Sequence, residues 1–176
     1  MTKTSLAAVL VLAMLGTAEA GGQSGTIGVG AEYGLALGGT YGGGGMGGGT
    51  IGIGLASMNY DAGDFHVGGF LGLVDGGDDD DTHYAIGGRF FYHMHSGSMS
   101  DFSLGGNLGM VSLDAPAPMD RTTLLFLEPG FQIRLFPASN VALSFTGGIA
   151  IGLVDAEGFA IGGQPTGSAG VHYYFF

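Results

Sequence analysis

Between residues 27 and 37 the chain alternates strictly. Ile27, Val29, Ala31, Tyr33, Leu35 and Leu37 fall on one side, and Gly28, Gly30, Glu32, Gly34 and Ala36 on the other. A period of two marks a β-strand with one apolar face. The pattern recurs along the chain. Phe65, Val67, Leu71 and Leu73 share a face over 65–74, and Tyr84, Ile86, Phe90, Tyr92 and Met94 share one over 84–94, opposite His83, Arg89, His93 and His95. Phe102, Leu104, Leu108 and Met110 mark a fifth strand, and Leu125, Leu127, Phe131, Ile133 and Leu135 a sixth. Val141, Leu143, Phe145, Ile149, Ile151 and Leu153 mark a seventh, backed by Ala142, Ser144, Thr146, Gly148 and Gly152. The second strand is irregular: Ile51, Ile53 and Leu55 hold one phase, then Met58 and Tyr60 the other, which predicts a bulge near Ala56-Ser57. Pro129 lies mid-strand without an N–H to give the ladder, and predicts a local distortion. The eighth strand, about 166–175, ends the chain.

The connections alternate as well. Asp61 to Asp64, Ser96 to Ser100 and Pro137 to Asn140 read as short turns, whereas 38–49, 75–82, 114–122 and 155–164 are longer stretches rich in Gly, Asp and Pro. Short turns at one end and long loops at the other predict an all-β fold, an eight-stranded antiparallel transmembrane β-barrel with periplasmic turns and extracellular loops. Strands of about 9–11 residues suit the bilayer, and a closed barrel satisfies every backbone group between strands. A soluble lipocalin-like barrel would show the same alternation with its polar face outward. That face is so rich in glycine, and the chain so poor in charge, that it would solubilise an exterior badly. Tyr60, Phe65, Tyr92, Phe102, Tyr173 and Phe175 gather toward the turn end, as an interfacial girdle would. No fixed repeat period supports a glycine-rich solenoid.

The first twenty residues predict a signal peptide: Lys3 in the n-region, Leu6 to Leu15 as the apolar core, and Ala18-Glu19-Ala20 as a small-x-small cleavage site. Residues 21–176 then form the barrel. Beyond residue 20 stand 38 of the 39 glycines and only three basic residues, Arg89, Arg121 and Arg134, against a formal charge of −11. Nucleic acid is excluded as a partner, because phosphate binding needs clustered Lys and Arg. The absence of cysteine excludes a disulfide framework, a thiolate metal site and a lipoprotein anchor.

The C-terminal strand reads Ser168-x-Gly170-x-x-Tyr173-x-Phe175, with Phe176 one residue beyond. Outer-membrane barrels commonly end in such a polar-x-Gly-x-x-aromatic-x-aromatic assembly signal. With the signal peptide and eight strands, the chain resembles the small eight-stranded barrels of the OmpA transmembrane-domain and OmpX type. That resemblance implies insertion by the outer-membrane assembly machinery, outer-membrane lipids as the surroundings, and a Gram-negative-type envelope as the address. A monomer is expected.

Four groups of residues could carry chemistry. Glu32, Arg89, Asn107, Glu128, Gln132 and Arg134 fall on the polar face, with Arg89, Asn107 and Glu128 roughly on one cross-strand row. They read as a hydrogen-bonded lumen plug, or as the selectivity element of a narrow pore. The plug is preferred because eight strands leave a bore barely wide enough for their own side chains. Inward glycines complicate this, since the lumen must then be filled by large neighbours such as Phe70, Phe91, Phe126 and Tyr174, by water, or by a ligand. His66, His93, His95 and His172 fall on the inward face near the turn end, where they would line a wet mouth or ligate a transition metal. Asp75, Asp78, Asp79, Asp80 and Asp81 form an acidic loop, either merely solvated or holding a divalent cation against lipopolysaccharide. Finally, His93-Met-His95-Ser96-Gly-Ser98 superficially invites a Ser-His lipid A deacylase, but its histidines face the lumen at the wrong end of the barrel. No cofactor is otherwise expected. An envelope-structural or surface-interaction role leads. A porin-like conduit through the glycine-lined lumen comes second, and an enzyme third.

Overall fold

The computed structural model describes residues 23–34, 54–75, 82–113, 121–154, 159–161 and 168–175. The predicted signal peptide, Ile51, Ile53 and Asp78–Asp81 lie outside these. The described chain forms β1 (Thr26–Gly34), β2 (Gly54–Asp61), β3 (Phe65–Asp75), β4 (Thr82–Ser96), β5 (Ser100–Leu113), β6 (Thr122–Ala138), β7 (Val141–Val154), a short β8 (Phe159–Ile161) and β9 (Ser168–Phe175). No described segment is helical.

Each of β1 to β7 pairs antiparallel with the next. The last strand closes the sheet. β9 pairs with β1 from Ile27↔Phe175 to Gly34↔Ser168, and with β7 from Val141↔Tyr173 to Thr146↔Ser168. Eight strands thus form a cylinder with no free edge, while β8 adds a short flap along Ile149–Ile151 of β7. The described connections 62–64, 97–99 and 139–140 are tight and share the end that holds Thr26 and Phe175. Pairing followed around the wall from Leu127 through Leu108, Gly88, Gly69, Met58, Val29, Tyr173 and Val141 returns to β6 at Ala138, eleven residues on. Such a stagger goes with strands tilted steeply to the axis.

Burial inverts the pattern of a water-soluble protein. Ile27, Val29, Met58, Tyr60, Leu71, Ile86, Phe90, Leu104, Leu108, Phe131, Phe145 and Ile151 stand on the outer surface, whereas Glu32, Asp61, His66, Arg89, Asn107, Glu128, Gln132, Arg134 and His172 are buried. The period of two therefore sorts apolar side chains outward and polar ones into the bore. A lipocalin-like arrangement would do the reverse. Tyr60, Tyr92, Phe102, Tyr173 and Phe175 all face outward near the turn end.

Of two local expectations, the bulge in β2 is not found and the distortion at Pro129 is. β2 runs in one unbroken register against both neighbours, so there is no bulge at Ala56-Ser57. Its outer face is Ala56, Met58 and Tyr60, and Leu55 turns inward to pack on Phe70, Ala85, Val111 and Phe126. The apparent phase slip was an apolar residue used to fill the bore. At Pro129 the β6–β7 ladder breaks without shifting: Leu127↔Ile151 and Gly130↔Gly148 keep the same register across Glu128 and Pro129. The shifts in that pair lie elsewhere, between Leu125 and Phe126 and between Leu135 and Ala138.

Candidate functional site: the lumen

The paired registers of β4, β5 and β6 set one polar row: Arg89 faces Asn107, which faces Glu128. Arg89 does not pair along that row. It reaches across the bore to β1, where Nη1 donates to Glu32 Oε1 at 2.7 Å and Nη2 to Oε2 at 2.9 Å. This is the bidentate fork that matches a planar guanidinium to a carboxylate. Glu32 is further held by β9. His172 Nε2 lies 3.1 Å from Oε1, and Ser168 Oγ donates to Oε2 at 3.4 Å. The same His172 nitrogen is 2.7 Å from Ser57 Oγ, and Nδ1 is 3.5 Å from Ser144 Oγ.

A second cluster lies nearer the turn end. Arg134 projects from β6, with Nε donating to both Asp101 oxygens, at 3.1 and 2.9 Å. Its Nη1 donates to Tyr174 Oη at 2.8 Å, and its Nη2 lies 2.8 Å from Asp61 Oδ2 and 2.9 Å from His93 Nε2. The guanidinium also sits over the rings of Phe136 and Tyr174, at 5.4 and 6.0 Å. Since Arg134 can only donate, His93 Nε2 accepts and Nδ1 carries the hydrogen that bonds Gly63 O at 2.6 Å. His66 Nδ1 completes the chain, 2.8 Å from His93 Nε2.

One central arginine thus ties β6 to β2, β4, β5 and β9. Leaving either guanidinium or its carboxylates alone in this interior would be costly, and the paired arrangement avoids that. Gln132 bridges to Thr146 at 3.0 Å. Large side chains fill the volume that the inward glycines leave. The Tyr174 ring lies over Gly28, Phe126 over Gly109 and Phe70 over Gly87. A Cβ at Gly109 would come within 2.6 Å of the Phe126 ring, so at these three positions the ring occupies the place of a side chain on the wall.

The sequence-predicted residues divide accordingly. Glu32 and Arg89 meet; Arg134 lies in the other cluster; Asn107 and Glu128 stand beside the first, lining a cavity. Of the histidines, His66 and His93 come together with Asp61, whereas His172 belongs to the Glu32 cluster. His95 leaves the inward face, because a register shift between His93 and His95 turns it out to solvent. Asp61, His66 and His93 offer ligand atoms within 4.8 Å of one another. The Arg134 guanidinium already occupies the space between Asp61 and His93, and its charge opposes a metal ion there. Asp75 is exposed at the end of β3, paired with Thr82. Ser168 and Gly170 face inward, while Tyr173 and Phe175 face out.

Asp61, Asp101, Ser57 and Ser144 were missed as site residues. Asp61 and Asp101 sit at strand ends, where an acid reads as part of a turn; only their inward parity, in phase with Asn59 and Ser103, could have found them. Ser57, His172 and Glu32 have the composition of a nucleophilic triad, but serine and carboxylate both approach the same ring nitrogen. A triad needs them on opposite nitrogens, and all three side chains here are buried.

No protein-family model matches the chain, and no curated protein matches it. Among solved structures it is similar to the N-terminal β-barrel domain of Pseudomonas aeruginosa OprF. The TM-score is 0.61 and the identity 12%, over 86% of this chain and 98% of that one. Ail, the attachment invasion locus protein of Yersinia pestis, aligns with a TM-score of 0.45 and 14% identity, over 87% of this chain and all of that one. The likeness to the OprF domain is one of fold.

Proposed function

We propose that the chain is an integral outer-membrane barrel with a closed lumen, serving the envelope as a structural or surface-interaction element. The observation that carries this is the cross-bore bonding of Arg89 and Arg134, each of which joins strands on different sides of the cylinder through paired, buried charge. A pore would need a continuous wet path past both guanidiniums. The apolar outer surface fits a lipid surround, reached by a cleaved signal peptide and by assembly through the Ser168–Phe175 strand. Contacts with other molecules then fall to the loop end. The buried Ser57–His172–Glu32 set, lacking triad geometry, argues against an enzyme. Purified protein in planar lipid bilayers tests the reading: no conductance steps are expected, and reproducible single-channel steps from the wild-type barrel would overturn it in favour of the narrow-pore reading.

A further inference from the structure

Both charge clusters of the lumen contain two carboxylates and one guanidinium, but they are satisfied differently. Arg134 contacts both Asp61 and Asp101. Arg89 gives both terminal nitrogens to Glu32. Glu128 is left over. It is 1% exposed, and neither of its carboxylate oxygens has a hydrogen-bond partner. The same is true of Asn107 Oδ1, on the paired residue of β5, and of Arg89 Nε. All three residues line one small cavity, with Glu32, Leu55, Phe70, Phe126 and Ser168; it is partly open to solvent and has space for about one water-sized particle.

We infer that the Glu128–Asn107 corner of this cavity binds a small monovalent cation of the sodium, potassium or ammonium class. An isolated buried carboxylate is too costly to leave uncompensated. A proton would supply one hydrogen for three acceptor atoms, both Glu128 oxygens and Asn107 Oδ1. A hard cation takes oxygen ligands from all three, and the cavity has room for one particle of about water's size, as such an ion is. Charge decides the valence. Both Glu32 oxygens are already taken by Arg89, His172 and Ser168, so Glu128 brings one uncompensated negative charge, which a single positive charge neutralises. A divalent ion would overshoot and would be repelled twice as strongly by the adjacent guanidinium. This site is distinct from the acidic loop and from the Asp61–His66–His93 group, and it holds whether or not the lumen conducts.

The test is sodium NMR line broadening of the refolded, full-length barrel in detergent, at constant ionic strength with choline as the inert cation. Saturable broadening, competed by potassium or ammonium, is expected for the wild type. Glu128→Gln should weaken it roughly tenfold or more, the scale on which removing support from an ion site acts. Absence of saturable broadening, or equal broadening in Glu128→Gln, overturns the inference. Infrared spectroscopy of the wild type supplies a reading that needs no variant: a protonated-carboxylic-acid band at neutral pH that persists in sodium overturns it equally, because Glu128 would then hold a proton in place of the ion.

Discussion

Arg134 on β6 and Asp61 on β2 stand four strands apart in an eight-stranded wall, on opposite sides of the bore, and meet with Nη2 2.8 Å from Oδ2. The pair spans the lumen. Both side chains are almost completely removed from solvent, so the contact lies in a setting where losing one partner costs far more than the pair contributes.

Arg134→Met should therefore destabilise the barrel by about 3–5 kcal/mol, because Asp61 and Asp101 are left buried without a counter-charge. Adding Asp61→Asn and Asp101→Asn to that variant should recover a large part of the loss. Urea titration of folding into lipid vesicles measures both.

Replacing the guanidinium should also release a latent metal site. With Arg134→Gln, the Asp61, His66 and His93 ligand atoms remain close together while the opposing charge is gone. Zinc, which takes His nitrogen and Asp oxygen ligands, should then bind at least about tenfold more tightly than to the wild type. Calorimetric titration of the two proteins checks it.

Two glycines on neighbouring strands, Gly105 and Gly88, should separate sharply. A Cβ at Gly105 would lie 2.7 Å from the Phe91 Cα, a backbone atom that cannot move aside. At Gly88, on the outer face, the nearest atom would be 3.6 Å away. Gly105→Ala is expected to cost about 1–3 kcal/mol, as overpacking does, and Gly88→Ala to stay within about 0.5 kcal/mol. Paired urea titrations compare them.

Leu108 is 53% exposed on the outer face. In a lipid surround, Leu108→Arg should cost about 2–4 kcal/mol near the midplane. In a water-soluble barrel the same change would be neutral or would raise solubility. Folding yield into vesicles, set against the soluble fraction in detergent-free buffer, distinguishes them.

Alternation and turn spacing carried the eight strands, their order and roughly the Arg89–Asn107–Glu128 row, where the short 97–99 turn pins the β4–β5 register. They did not carry which residues meet across the bore. Arg89 with Glu32, or Arg134 with Asp61, depends on the stagger accumulated around the whole wall, and no local pattern records that. Leu55 shows a related limit. An apolar residue in the polar phase looked like a bulge, when the bore simply needed bulk beside Phe70 and Phe126. His95 shows the converse, since a one-residue slip after His93 moved it from the lumen to solvent.

The last strand has a wider consequence. β9 supplies Ser168 and His172 to Glu32, and Tyr174 to Arg134. Until it docks between β1 and β7, neither charge cluster is complete. The interior cannot mature ahead of the seam, and the seam gains its polar contacts only as the interior forms. Assembly of this cylinder should therefore be concerted. An open sheet of seven strands would carry its unmet charges along the face destined for the bore, making a half-built intermediate short-lived and a closed one hard to unzip from either edge.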